Sequence, residues 1–126
     1  MQTFFWISLG AVIGANCRYW LGNWAARQFG TAFPYGTLLI NLTGSLVIGL
    51  LMEVAVERFA VEPRLRALLV VGFLGSYTTF SSYAYEGVAL ILNGRYALGG
   101  LYLLGSSLLG GLAVLGGIAL GRMLPG

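Results

Sequence analysis

No histidine, no aspartate and no lysine occur among the 126 residues, so the ionic inventory is seven arginines and four glutamates. The usual general bases and most metal ligands are missing, and hydrolytic or metal-centred catalysis is excluded as a leading reading; the chain is not expected to be an enzyme. Charged residues make up 9% of the sequence and hydrophobic ones 58%. Soluble domains carry roughly 25% charged residues, which argues against a water-soluble fold. The net charge of +3 does not point to nucleic acid, because the arginines stand singly between apolar runs and form no basic stripe. With Cys17 as the one cysteine no internal disulfide can form, and its apolar surroundings suit a small packed side chain. The N-terminal residues Met-Gln-Thr-Phe-Phe-Trp lack the positive region of a signal peptide, so the first apolar stretch is expected to be retained.

What the chain does contain is long apolar runs. A helix needs about 20 apolar residues to cross a hydrocarbon core of ~30 Å. Four stretches meet or approach that length, near residues 4–24, 36–52, 67–92 and 97–121. The expected fold is therefore an all-α integral membrane protein, a single domain over residues 1–126 with four transmembrane helices. The second stretch is short and the third has length to spare, which fits a third helix interrupted mid-membrane. The polar connection between them carries Glu53, Glu57, Arg58, Glu62, Arg64 and Arg66. Four spans put Arg58, Arg64, Arg66 and Arg122 on one side, and Arg27 and Arg95, joined by Arg18, on the other. Arginine and lysine in short loops set insertion direction, and so even a balance predicts a chain that inserts both ways. Two oppositely inserted copies can pair about an axis in the membrane plane, an inverted repeat made from one gene. The sequence has no internal repeat of its own.

Helices in lipid associate through close backbone approach, which favours small residues four apart. Gly10, Gly14, Arg18 and Gly22 form such a stripe, as do Thr37, Asn41, Ser45 and Gly49, and Tyr102, Ser106 and Gly110. The glycines read as packing seams. An arginine or asparagine in a seam must face protein or water. Residues 72–83 differ from a plain spanning helix: two glycines and a run of Ser, Thr and Tyr weaken helix propensity. Irregular backbone at membrane depth survives only where protein buries it or water reaches it, and its carbonyls can hold a cation.

Three segments, residues 10–19 (GAVIGANCRY), 36–44 (GTLLINLTG) and 72–81 (GFLGSYTTFS), closely resemble the signature motifs of the Fluc (CrcB) fluoride channel family. The resemblance implies an antiparallel dual-topology homodimer in the cell (inner) membrane, with two fluoride pores and a structural Na+ on the two-fold axis. It further implies that Asn41 is the pore-lining amide and that Phe80 is the first of two rings whose edges face the ion. The carbonyls of Gly75 and Thr78 correspond to those holding Na+. Ser81 and Thr79 fall where the family has hydroxyls along the pore, and Tyr102 with Ser106 match its fourth-span motif. Arg18 and Glu86 match a vestibule or structural arginine and the carboxylate after the third motif. Two positions depart from the pattern: Tyr83 stands where the second ring is usually Phe, and Gly110 where some members have Ser.

These residue types suit a small, strongly hydrated anion. Amide and hydroxyl donors on Asn41, Thr79, Ser81, Ser106, Tyr83 and Tyr102 can replace water, while a full positive charge in a narrow path would trap the ion. Ring edges offer weaker attraction. Arg18 either concentrates anions at a mouth or pairs with Glu86 or with helix-end carbonyls. The expected partners are fluoride, lipid and a second copy of the chain. An alternative is a small multidrug exporter, which needs a carboxylate in the first span; this chain has none there, and its embedded carboxylate is Glu86. A non-transporting scaffold would account for the glycine seams but not for Asn41.

Overall fold

The computed structural model describes residues 1–58 and 61–124, and every element among them is helical. Helix α1 runs Gln2–Phe29 and α2 runs Tyr35–Met52, continuing into a wider π-wound stretch, Glu53–Arg58. Helix α3 (residues 63–77) begins as Pro63–Arg66, is π-wound over Ala67–Leu74 and ends over Gly75–Tyr77. Helices α4, Phe80–Leu92, and α5, Tyr96–Met123, complete the chain. The connection expected over residues 53–66 is thus helical at both ends, and its residues 59–60 lie outside the described ones.

Among the described residues three stretches are long and apolar enough to cross a membrane: Tyr35–Ala55, Pro63–Leu92 and Tyr96–Met123. Helix α1 has the length, 28 residues or about 42 Å at the helical rise. Its composition falls short because Gln2, Asn16, Arg18, Asn23, Arg27 and Gln28 dilute it.

Two seams hold the bundle together, α1 against α3 and α2 against α5. Both depend on glycines whose missing side chains let backbones touch. A Cβ on Gly10 would lie 2.8 Å from Phe73 N, and one on Gly72 3.0 Å from Gly10 Cα. In the other seam, a Cβ on Gly117 would lie 2.7 Å from Leu50 N, and one on Gly49 3.0 Å from the Val114 carbonyl carbon. Backbone cannot swing aside as a flexible side chain would. Ser76 adds a polar tie across the first seam, its hydroxyl donating to Ala11 O at 3.0 Å.

The ends of the bundle are fixed by loops and charges. At one end Arg95 Nη1 donates to Ala32 O, and Trp24, Phe29, Phe33 and Tyr35 form a chain of ring contacts. Helix α4 stops there in a Schellman turn, with Arg95 N bonded to Leu90 O (2.9 Å) and Gly94 N to Ile91 O (3.0 Å). That turn needs a left-handed residue, which Gly94 provides at φ 80. At the other end Arg122 Nε sits 3.4 Å from Glu53 Oε2. Around the outside, Leu101, Leu104, Leu108, Leu112 and Leu115 form an exposed apolar stripe on α5, as expected of a surface facing hydrocarbon.

The seams give a direct test by thermal unfolding of the purified protein. Gly117→Ala is expected to cost about 1–3 kcal/mol through overpacking. Gly105→Ala, where a Cβ meets nothing within 4 Å, is expected to be neutral or to stabilise by up to about 1 kcal/mol through helix propensity. Equal unfolding temperatures for the two variants would contradict backbone contact at the α2–α5 seam.

Candidate functional site

Between α3 and α4 the helical ladder stops for two residues. Thr78 (φ -75, ψ 157) and Thr79 (φ -147, ψ 114) are extended. The ladder holds as far as Thr78, whose N–H donates to Leu74 O at 3.0 Å. The next N–H, that of Thr79, would reach Gly75 O in a continuous helix; instead it donates to Asn41 Oδ1 at 2.8 Å. Asn41 Nδ2 in turn donates to Thr79 O at 2.9 Å. The side chain of α2 therefore takes both ladder positions of one residue at the break. The amide orientation follows from its partners, because a backbone N–H can only donate and a carbonyl can only accept.

Thr79 also starts α4. Its Oγ1 accepts from Ser82 N (3.2 Å) and donates to Ser82 Oγ (3.0 Å), an N-cap that satisfies one of the orphan donors of the first turn. Ser81 Oγ stands 3.5 Å from the same hydroxyl and is exposed. Thr78 Oγ1 turns back to Leu74 O at 2.9 Å. Gly75, the last glycine before the break, is exposed, and a Cβ there would find only Val70 O, 3.8 Å away.

Two cavities meet at Thr79. One, of about 610 Å³, is lined by Arg18, Asn23, Thr37, Thr79, Ser82, Glu86 and Arg95 among others. The second, of about 340 Å³, is lined by Asn41, Ser45, Gly75, Thr78, Thr79, Phe80 and Tyr83 among others. Phe80 is 80% exposed, so its ring extends beyond the packed chain.

Among the described residues Glu86 pairs with no arginine. Its Oε1 accepts from Thr37 Oγ1 at 2.8 Å and its Oε2 from Tyr102 OH at 3.0 Å. Among the described residues Arg18 has no ion pair, the pairs being Arg64 with Glu62 and Arg122 with Glu53. Tyr102 is 2% exposed, with its ring 5.5 Å from that of Tyr83, which lies 5.6 Å from Phe80. The Tyr83 hydroxyl donates to Leu103 O at 2.5 Å and contacts Ser107 Oγ at 2.9 Å. That hydroxyl, expected as a donor to the anion, is bonded instead to a neighbouring backbone carbonyl and a serine.

The break thus gathers Asn41, Gly75, Thr78, Thr79, Phe80 and Tyr83 around one cavity, and Arg18, Thr79 and Glu86 around the other. Ser81, Tyr102 and Ser106 line neither. Ser106 Oγ is buried and has no hydrogen-bond partner among the described residues. Sequence reasoning missed Thr37, Ser82 and Ser107 as members of the site. Thr37 was within reach, since it stands four residues before Asn41 on the same stripe. Among the described residues no group of three or more His, Cys, Asp and Glu could hold a metal ion; the oxygens at the break are backbone carbonyls, hydroxyls and the Asn41 amide oxygen.

An all-helical chain with long apolar helices and a clamped polar break defines a multi-pass membrane protein. The model of the family described as CrcB-like protein, Camphor Resistance (CrcB), matches residues 5–118, and the chain belongs to that family. It is similar to the fluoride-specific ion channel FluC of Koribacter versatilis, at 48% identity over 98 residues covering 78% of each chain. The protein of the same name from Chloroflexus aurantiacus is 49% identical over 96 residues, 76% of each. That of Synechococcus sp. is 50% identical over 95 residues, 75% of this chain and 73% of the relative.

The Tyr83 contacts predict a stability effect separable from transport. Tyr83→Phe keeps the ring and leaves Leu103 O without this donor, and is expected to lower unfolding stability by about 1 kcal/mol. Unchanged thermal stability would mean that the hydroxyl does not tie α4 to α5.

Proposed function

We propose that this protein is a fluoride-selective channel that lets cytoplasmic fluoride leave passively across the cell (inner) membrane. The single observation that carries the reading is the run of amide, hydroxyl and ring-edge groups at the break, in a chain about half identical to proteins named fluoride-specific ion channels. Asn41 Nδ2 has two hydrogens, of which Thr79 O takes one; the other is left for the cavity. Phe80 offers a ring edge next to it, and Thr79 joins this cavity to the one containing Arg18 and Arg95. Arg18, without a carboxylate partner, raises local anion concentration at the wider cavity. Together these groups replace water around the ion weakly and repeatedly, which is what conduction requires.

In this reading α1 spans the membrane as the fourth helix, its polar residues facing protein or water, and the break lies at mid-membrane. Two copies insert in opposite directions and pair as an antiparallel homodimer with two pores. Pairing would cover the exposed Phe80 and Gly75, which a single chain leaves open. The carbonyls of Gly75 and Thr78 are proposed to hold a structural Na+ at the two-fold axis. They fit that ion because neutral oxygens at unwound backbone suit Na+, and because Gly75 O is released from its usual donor. A bound Na+ would supply a fixed positive field between the pores. A proton-coupled drug exporter is the weaker reading, since the carboxylate of Glu86 is engaged by Thr37 and Tyr102.

Fluoride efflux from proteoliposomes tests the function. The parent is expected to release fluoride far faster than chloride, and Phe80→Ile to cut the flux about fivefold, the loss of roughly 1 kcal/mol of ring-edge attraction. Flux of Phe80→Ile at the parental rate, with the dimer intact by size-exclusion chromatography, would remove the ring from the pore. Topology has its own test. Adding Lys to the connection between α2 and α3 should force one orientation and abolish flux, and co-expression with an oppositely biased copy should restore it. Full activity from one biased copy alone would rule out the antiparallel pair.

A further inference from the structure

Asn41 is the pore amide of the proposed channel, yet its two polar atoms are aimed at the backbone of Thr79. The consequence lies one helical turn away. A carbonyl within a helix is held by the N–H four residues on, and for Gly75 that donor is Thr79. Thr79 N–H lies 2.8 Å from Asn41 Oδ1 and is taken. The preceding N–H, on Thr78, remains on Leu74 O, so the diversion starts at the residue whose carbonyl partner would be Gly75. Gly75 has no side chain and is exposed, and the cavity that contains Asn41 also contains Gly75 and Thr78.

We propose that Asn41 is a positioning residue for the cation site: by holding Thr79 N–H it keeps the Gly75 carbonyl free to bind Na+, so the anion path and the cation site share one side chain. This rests on the proposed Na+ site at Gly75 and Thr78. Loss of the Oδ1 acceptor frees Thr79 N–H to compete with Na+ for Gly75 O. One net hydrogen bond competing for the same oxygen corresponds to about a tenfold loss of cation affinity.

Two substitutions separate the acceptor from the donor. Asn41→Leu is close in shape and has neither. Asn41→Asp keeps an oxygen that accepts Thr79 N–H, but places a negative charge in the anion path. The experiment follows thermal unfolding of the detergent-solubilised dimer while Na+ replaces N-methylglucamine at constant ionic strength, and reads the half-saturating Na+ concentration. Asn41→Leu is expected to raise that concentration about tenfold. Asn41→Asp should stay near the parent or bind more tightly, while fluoride flux in proteoliposomes is lost in the same variant. General destabilisation would lower the unfolding temperature at every Na+ concentration and leave the half-saturating point in place. If Asn41→Leu fails to assemble, Asn41→Ser, whose hydroxyl is too short to reach Thr79, should give the same shift.

Parental half-saturation in Asn41→Leu or Asn41→Ser, or an equal loss in Asn41→Asp, would overturn the link between Asn41 and the cation. Absence of any Na+ dependence in the parent would remove the cation site itself and the inference with it. Normal Na+ titrations throughout, with no fluoride flux from the parent, would instead defeat the channel reading.

Discussion

A peptide group surrounded by hydrocarbon has no water to bond, so each N–H and C=O must find a protein partner or lie against a cavity. In the proposed channel that constraint bears most visibly on Thr78 and Thr79, where the ladder between α3 and α4 stops. The break persists because its donors are reassigned. Asn41 holds the N–H and C=O of Thr79, the Thr79 hydroxyl caps α4, and Thr78 turns its own hydroxyl onto Leu74 O. Each bond is worth about 1 kcal/mol net, but leaving a buried group unpaired costs about 1–3 kcal/mol. The geometry of both cavities follows from that reassignment, because they meet at Thr79.

The reassignment requires α2 to stand close enough to α3 and α4 for a short asparagine to reach. Glycines supply that closeness. Gly44 sits against Thr78 and Tyr77, and Gly49 with Gly117 brings α2 onto α5. A second tie is Thr43 Oγ1 to Tyr77 OH at 2.8 Å. Small residues in the seam and polar residues at the break are therefore parts of one arrangement. Larger residues in the seam would move Asn41 away from Thr79 and leave the break without its partner.

Much of this was legible in the sequence. The all-helical character followed from apolar runs near 36–52, 67–92 and 97–121, because their length and lack of charge admit few other solutions. The stretch near 4–24 was harder. Its polar residues lower its hydropathy below that of a plain span, and the helix observed, Gln2–Phe29, extends past both expected ends. The composition of residues 72–83 points to a disturbed helix, and the two extended residues fall within it. Which donors are diverted was not legible, since this depends on the register of α2 against α3, to which no local pattern refers. The same holds for Glu86: a charge rule suggests Arg18, but the packed helices offer the hydroxyls of Thr37 and Tyr102. Ser106 and Ser107 are adjacent in sequence, and about 100° of helical rotation decides that Ser107 is the one to meet Tyr83.

The departures at Tyr83 and Gly110 show how substitutions at a polar site can be absorbed. A tyrosine hydroxyl left in a narrow anion path would be a strong, fixed donor, and strong single sites slow conduction. Here the hydroxyl is already committed to Leu103 O and to Ser107, so the part of Tyr83 left to face the cavity is the ring, as a Phe would present it. At Gly110, where the family pattern that the chain resembles allows a serine, a Cβ would come within 3.6 Å of Ser45 Oγ. Ser45 lines the cavity shared with Asn41 and Phe80, so a hydroxyl on α2 stands beside the position where one on α5 is missing. Neither position places a strong, uncommitted donor in the proposed path, and a path built from many weak contacts tolerates the loss of one of them better than a path built on a single strong site.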